Sequence, residues 1–347
     1  MDNKLSTLEE KLRSFPRVPL SLVPTPCHRL NFLSERYGVE VYCKRDDMTG
    51  FGFGGNKSRK LEFLIGKARE LGCDTLVTSG GIQSNFCRLT AVAGAVSGMS
   101  VHLVLGGGSP KEATGNVLLD RILGAHIHYV DSSDWNDWEA ESEKIAADLK
   151  ARGRRVFRMP IGGSVPVGVA GYTHVFLEIM KDHKHLDISI DHIIHASSSG
   201  GTQAGLVVGK NLIGWPGKIT GIAVAMDRET LGEKVYELAT ETADLLGGKI
   251  TRQSVIVDDR FIGEGYAIPT QAAEEAIEIF AQKEGIFLDH VYTGKAASAL
   301  LHWLEKGDLD GQKVLFLHTG GQVELFAREY LNRRDTQTKN SWSTPAK

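Results

Sequence analysis

Four short segments combine glycine with a group able to do chemistry, and each falls where an apolar run gives way to a helical pattern. The first is His195-Ala196-Ser197-Ser198-Ser199-Gly200-Gly201-Thr202. Backbone amides at a helix start, with no side chain on Gly200 or Gly201 to block them, make an anion cradle that Ser199 and Thr202 can complete. A phosphate is the natural occupant, and a tight turn without a ligand is the alternative. The segment lacks the lysine of a P-loop and the G-x-G-x-x-G spacing of a dinucleotide fingerprint. The second is Gly54-Gly55-Asn56-Lys57, followed by Ser58-Arg59-Lys60. A lysine amine at a cleft edge, its charge disfavoured by burial, can form a Schiff base, although most lysines at helix starts are simply solvated. The third is Ser79-Gly80-Gly81-Ile82-Gln83-Ser84-Asn85. Here Ser84 or Asn85 caps a helix, or the two face a small polar ligand at the carboxyl edge of a parallel sheet. The fourth, His318-Thr319-Gly320-Gly321, ends a short apolar strand and places a hydroxyl at the same edge.

The elements that must position these loops are strands alternating with amphipathic helices, the pattern of a parallel sheet with crossover helices, so the fold class is α/β. Strands are predicted over Val39 to Lys44, Thr75 to Thr78, Ser100 to Leu105, Ala125 to Val130, His192 to Ala196, Ile219 to Ala225 and Val314 to His318. Helices are predicted over Lys57 to Leu71, Asn85 to Val96, Glu139 to Arg152, Thr202 to Leu212, Leu231 to Leu246, Gln271 to Lys283 and Lys295 to Lys306. The glycine- and proline-rich stretch Pro160 to Gly171 interrupts the pattern before a helix expected from about Tyr172. We expect a larger domain of residues 1–55 and 160–331, a smaller one of 56–159, and a frayed polar tail over 332–347.

Taken together the motifs resemble the D-cysteine desulfhydrase and 1-aminocyclopropane-1-carboxylate deaminase family of pyridoxal-phosphate enzymes. The segments that carry the resemblance are Lys44-Arg45-Asp46-Asp47, Gly54 to Glu62, Gln83-Ser84-Asn85, Ser199 to Thr202, Val291-Tyr292-Thr293-Gly294-Lys295 and His318 to Gly321. They run in the family's order from about Phe15 to Phe326. The resemblance implies a two-lobed tryptophan-synthase-β-like fold (fold type II) with pyridoxal 5'-phosphate between the lobes, and a homodimer. It implies that Lys57 is the Schiff-base lysine and the base, and that Ser199, Gly200, Gly201 and Thr202 hold the phosphate. Asn85 would meet the ring hydroxyl, Tyr292 would lie against the ring, and Thr319 would border the cofactor. Ser84, Gln83, Tyr266 and Thr293 would lie on the substrate side.

The deaminase branch carries Glu where this chain has Thr293 and Leu where it has Thr319. A carboxylate near the pyridine nitrogen would strengthen the electron sink that opens a cyclopropane ring, so the two threonines favour a β-eliminating carbon-sulfur lyase of the D-cysteine desulfhydrase type. The chain departs from that branch at Phe86, His290 and Gln322-Val323-Glu324, near the substrate side. Other stretches, among them Gly115 to Asp120 and Gly263 to Tyr266, resemble L-cysteate sulfo-lyase, which is the alternative, ahead of the deaminase.

Composition agrees with an enzyme of small molecules. The 347 residues carry 40 Lys and Arg against 43 Asp and Glu, with no long run of one sign, so neither nucleic acid nor a membrane surface is an expected partner. No apolar stretch approaches the roughly 20 residues of a transmembrane helix, and Met1 to Phe15 reads as a charged amphipathic start rather than a signal peptide. Four widely spaced cysteines point to a reduced, cytoplasmic setting. A nicotinamide dehydrogenase is disfavoured for want of the glycine fingerprint. A binding protein that has lost catalysis would be expected to lose Lys57, which is present. No metal is expected. His192 and His195 face opposite sides of a strand, His126 and His128 share a face without an evident third ligand, and His183 and His185 lie in a polar turn where solvation is the default. Cys87 is expected to be a buried helix cysteine, and Trp135 and Trp138 to sit at a helix start.

Overall fold

A computed structural model describes residues 2–327, so the tail over 332–347 lies outside the described residues. From the amino end, α1 (Asp2–Arg13), β1 (Cys27–Arg29), α2 (Asn31–Tyr37) and β2 (Glu40–Arg45) lead into a run of helix and strand: α3 (Lys57–Glu70), β3 (Thr75–Gly81), α4 (Asn85–Ser97), β4 (Ser100–Gly106), α5 (Gly115–Ile122), β5 (His126–Val130), α6 (Trp135–Ala151) and β6 (Val156–Met159). The chain continues through α7 (Pro166–His185), β7 (His192–Ser197), α8 (Gly201–Ile213), β8 (Lys218–Ala223), α9 (Arg228–Leu245), β9 (Ile256–Asp258), α10 (Gln271–Ile279), α11 (Thr293–Lys306) and β10 (Lys313–His318). The strands form two sheets, ordered β1-β2-β10-β7-β8-β9 and β5-β4-β3-β6. Every pairing is parallel except that of β1 with β2. The architecture is α/β, as the alternating pattern predicts.

The period of two along a strand divides each sheet's side chains between two helical layers. In β10, Leu315 and Leu317 enter a core with α7, α8 and α9, while Val314 and Phe316 enter the opposite core with α10 and α11. The smaller sheet is covered likewise, by α3 and α4 on one side and by Trp138, Ile145 and Ala146 of α6 on the other. The short strands β1, β6 and β9, of three or four residues, have no sequence expectation, because so few residues show no period. The expected helix start near Tyr172 is corrected to Pro166. Proline at the first helical position has its φ already set and no amide to lose. The glycines after it serve a close approach rather than a break: a Cβ on Gly171 would lie 2.3 Å from the Arg59 carbonyl of α3. The last predicted turn of α10 widens into a π-type turn, residues 280–284.

One buried ion network ties α3 to α7 and to the end of β2. The Arg59 guanidinium donates to Asp46 Oδ1 at 2.8 Å and to both Glu178 oxygens at 2.8 and 2.9 Å. Lys44 Nζ meets Glu178 at 2.7 Å and Asp182 at 2.6 Å, and Tyr172 donates its hydroxyl to Asp46 Oδ2 at 2.6 Å. Burial works against the Glu178 charge, yet Arg59 and Lys44 prevail and hold its carboxyl at about 2. Removing one partner of such a network strands the others out of water. Arg59→Met is therefore expected to cost roughly 3–5 kcal/mol in urea unfolding. Lys313→Ala, which opens an exposed pair with Glu40, should cost less than about 1 kcal/mol. Equal losses in the two variants would show that the network does not hold α3 in place.

Candidate active site

The carboxyl ends of β3, β7 and β10 and the amino ends of α3, α4, α8 and α11 converge on one cleft of about 720 Å³, counting the space open to solvent. This is where parallel sheets bind ligands. Of the residues singled out in the sequence, Lys57, Ser84, Asn85, Ser199, Gly200, Thr202, Tyr266, Tyr292 and Thr319 all line it, and Gly201 opens α8 directly behind it.

Lys57 is the first residue of α3 and donates to Asn56 Oδ1 at 2.9 Å. Its loop is seated by the Asn56 amide, which donates to the Thr319 carbonyl at 2.9 Å. Glycine is required at 320, where a Cβ would lie 2.7 Å from Gly55 Cα, and favoured at 55 by its φ of 118. Desolvation lowers the Lys57 amine to about 8, against the opposing pull of Asp289 and Glu324. A helix amino terminus disfavours the ammonium further. The amine is thus a base and nucleophile near neutral pH, the state a carbonyl-capturing lysine needs.

At the start of α8 the cap residue is Gly200, in the left-handed region at φ 82. Asn56 Nδ2 donates to Thr202 Oγ1 at 3.0 Å, and Ser164 donates its hydroxyl to Ser199 Oγ at 2.8 Å. A Cβ on Gly201 would lie 2.6 Å from Lys60 Nζ, and one on Gly162 would lie 2.4 Å from Ser199 Oγ. Lys60 is buried, and among the described residues it donates to the Gly162 carbonyl, at 3.1 Å. Burial, with Lys57 adding to it, pushes its amine well below the usual lysine range. The Ser197 hydroxyl is buried at the cleft and has no hydrogen-bond partner among the described residues. Backbone amides and hydroxyls at a helix start form the donor set for a phosphate, with the desolvated amines of Lys57 at the cleft and Lys60 behind Gly201, so the residues present fit pyridoxal phosphate.

The opposite wall is aromatic. Tyr266 and Tyr292 bring their hydroxyls to 2.5 Å of each other, with rings 6.1 Å apart. Burial raises both phenols above the usual tyrosine range, so they stay protonated. Tyr292 caps α11, and the loop that carries Tyr266 is held by Lys295, whose amine donates to the Ile262 and Gly265 carbonyls at 2.6 and 2.9 Å. Trp135 meets Tyr266 edge-on at 5.4 Å and stacks with Trp138 at 6.2 Å. Ser84 caps α4 by accepting from the Cys87 amide at 3.2 Å, and Asn85 Oδ1 accepts from Asn116 Nδ2 at 3.1 Å.

Two residues expected on the substrate side are placed elsewhere. Gln83 accepts from the Asn116 amide at 2.7 Å and donates to the Thr114 carbonyl at 3.1 Å, so it braces the start of α5 and does not line the cleft. Thr293 is fully buried, its hydroxyl donating to Asp289 Oδ1 at 2.6 Å, and does not line the cleft either. Lys60, Trp135 and Trp138 stood in the motifs and elements read from the sequence without a site role, and helix phase alone does not say which face meets a cleft. Glu324, one of the departures noted in the sequence, is buried and raised well above the usual carboxylate range by desolvation and by Asp289. Away from the cleft, His183 is half-buried against Trp215, with the rings 6.4 Å apart, not solvated. His102 stacks on both His126 and His128, at 4.5 and 5.4 Å. Among the described residues no group of three His, Cys, Asp or Glu side chains is arranged to hold a metal, and no helix is long and apolar enough to cross a membrane.

Comparison with known proteins agrees with this geometry. The model of the family described as "Pyridoxal-phosphate dependent enzyme" matches residues 18–320. A protein of Pyrococcus furiosus named "Putative 1-aminocyclopropane-1-carboxylate deaminase" is 39% identical over 314 residues, 90% of this chain and 94% of that protein. The crystal structure of an ACC deaminase homologue superposes with a TM-score of 0.88 at 37% identity, covering 95% of this chain and 98% of the other. A fungal L-serine ammonia-lyase from Rhizomucor miehei, at 16% identity and a TM-score of 0.68 over 92% of this chain and 99% of its own, shares the fold. The cleft between parallel sheets, its glycine-rich helix start and its desolvated lysine thus belong to a member of the pyridoxal-phosphate dependent enzyme family, with that cofactor and the two-lobed architecture of fold type II.

Proposed function

We propose that this enzyme is a β-eliminating carbon-sulfur lyase of the D-cysteine desulfhydrase type, releasing pyruvate, hydrogen sulfide and ammonia from D-cysteine. The observation that carries the reading is the wall facing the cradle, where Trp135, Trp138, Phe86, Tyr266 and Tyr292 enclose the substrate side. Aromatic rings suit a neutral, polarisable sulfur better than a hydrated sulfonate. Of the two threonines that separate lyase from deaminase, Thr319 lines the cleft and keeps its weight, while Thr293 is committed to Asp289. The name of the Pyrococcus relative favours a second reading, ring opening of 1-aminocyclopropane-1-carboxylate.

When bound, pyridoxal phosphate supplies a carbonyl for an amine and a ring that takes up the electron pair left at Cα. Ser199, Gly200, Gly201, Thr202 and Lys60 would hold its phosphate and Asn85 its ring hydroxyl, with Thr319 and Tyr292 beside the ring. Lys57 would anchor the cofactor, and its desolvated amine would be the base that takes the Cα proton at Nζ. Ser84 and Asn85 orient the substrate carboxylate with the amide-rich start of α4. The Tyr266–Tyr292 hydroxyl pair delivers a proton to the departing sulfur. Residues 1–55 and 160–331 serve as the larger, cofactor-binding lobe and 56–159 as the smaller, a division supported by the allocation of strands between the two sheets. Exposed Leu22, Phe53, Leu118, Ile122 and Phe326 support a homodimer, and four free thiols fit a reducing cytoplasm.

Apo-protein should capture pyridoxal phosphate at a rate that rises with pH through about 8 and levels off, because Lys57 loses its proton there and not near 10.5. A rise continuing to pH 10 in stopped-flow absorbance would count against the desolvated amine. Lys57→Ala should lose the visible band of bound cofactor and all turnover. Lys60→Gln should keep the band but weaken cofactor binding by roughly ten- to a hundred-fold, the worth of a charged hydrogen bond. The function itself is tested by assaying D-cysteine, L-cysteine, L-cysteate and 1-aminocyclopropane-1-carboxylate for pyruvate, 2-oxobutyrate, sulfide and sulfite. Sulfide and pyruvate from D-cysteine are expected. Sulfite from L-cysteate or 2-oxobutyrate from the cyclopropane, with D-cysteine inert, would replace the reading.

A further inference from the structure

A second cavity, of about 960 Å³ counting its open side, adjoins the cleft and shares Trp135, Ile161 and Ser199 with it. It lies between the amino-terminal turns of α6 and the outer face of α9. Its apolar surface is made by Trp135, Pro160, Ile161 and Leu238. The loss of sulfide from cysteine needs no room beyond the sulfur, so the reaction proposed above leaves this space unexplained. Trp135 connects the two cavities. Its ring meets Tyr266 on the cleft side and carries Lys234 Nζ at 6.0 Å from its centroid. A group attached to a sulfur beside Tyr266 would pass along Trp135 into the second cavity.

We propose that this cavity is a subsite for the substituent on sulfur, so that the enzyme cleaves S-alkyl- and S-aryl-cysteines as well as cysteine; the inference rests on the carbon-sulfur lyase reading. The chemistry is unchanged by the substituent. The Cα proton leaves, the Cβ–S bond breaks with its electron pair going to sulfur, and the thiolate takes a proton. One water hydrolyses the remaining imine, so that RS–CH2–CH(NH3+)–COO− and water give RSH, pyruvate and ammonium. The chemical class of the substituent follows from the lining. Aromatic and aliphatic surface favours an uncharged apolar group. At the rim, Glu139 and Glu143 are paired with Arg158, while Glu237 and Glu241 project from α9 with Lys234 between the two helices. That balance is acidic, so an anionic substituent is disfavoured.

The test uses holoenzyme and pyruvate release from both enantiomers of cysteine, S-methylcysteine, S-benzylcysteine and S-(carboxymethyl)cysteine. The expected result is S-benzylcysteine turned over with kcat/KM within roughly ten-fold of cysteine, and S-(carboxymethyl)cysteine at least about ten-fold below S-benzylcysteine. Leu238→Arg, which puts a charge and added volume into the cavity, should lower kcat/KM for S-benzylcysteine by about ten-fold or more through KM, while cysteine changes less than about two-fold. Asn136→Arg, at an exposed position on the same cavity, repeats the test should the first variant fold poorly. Pyruvate from cysteine but none from S-benzylcysteine, or an equal loss on both substrates in these variants, overturns the subsite and leaves the lyase standing. No pyruvate from any of these cysteines, with the cofactor band present, overturns the lyase and the subsite with it.

Discussion

Within one turn at the start of α3, Arg59 and Lys60 are buried and Lys57 is partly buried at the cleft, and the way each charge is handled orders the rest of the molecule. Desolvating a cation is costly unless a partner is brought to it. Arg59 receives two carboxylates, from Asp46 at the end of β2 and Glu178 on α7, and this pins the helix against both sheets' connecting elements. Lys57 and Lys60 receive no carboxylate within salt-bridge distance among the described residues, and both amines are pushed down by burial. The same short helix therefore spends one cation on structure and keeps two poised for an aldehyde and its phosphate. The two roles cannot be separated, since moving Arg59 would move Lys57 two residues away.

The loops that meet Lys57 are placed by backbone approach rather than by side-chain packing. Gly55 and Gly320 touch Cα to Cβ position, and the Asn56 amide reaches the Thr319 carbonyl across that gap. The same economy recurs at Gly201, where Lys60 and Ser164 crowd the space a side chain would take. Glycine in these positions costs backbone entropy in the unfolded chain. The return is a set of amides and hydroxyls held at helix amino termini, where the partial positive charge favours an anion without any reorganisation when it arrives.

Across the cleft, α11 sets the acid-base groups. Asp289 accepts from the Val291, Tyr292 and Thr293 amides and from the Thr293 hydroxyl, which turns the chain sharply into the helix and aims Tyr292 at the cleft. Three residues on, Lys295 fastens the Tyr266 loop through two carbonyls. One helix thereby fixes both members of the hydroxyl pair. Burial, with Asp289 beside it, holds the Glu324 carboxyl well above its ordinary range and so favours its neutral form. The floor of the site carries less negative charge than a count of its carboxyls implies, and this leaves the Lys57 amine free to be neutral.

What the sequence by itself determined was local: the alternation of strand and helix, the four glycine loops at their junctions, and the lysine, serines and threonines within them, because turn chemistry and hydrophobic period act over a few residues. That was enough for the fold class, an anion cradle and a candidate lysine, while the cofactor and the tyrosines of the cleft followed from the family resemblance. Tertiary structure decided what depends on residues far apart in the chain. Trp135 and Trp138 read as a helix start and became the wall beside Tyr266, because the partner that makes them a wall lies more than a hundred residues away. Gln83 and Thr293, inside recognisable motifs, were turned from the cleft by Asn116 and Asp289, nearer and better hydrogen-bond partners than a ligand. Lys60 differs from any surface lysine only in having α3 pressed so closely against Gly162 and Gly201 that water is excluded from its amine. Burial and partner choice are properties of the packed chain, and the charge state of a side chain follows from both.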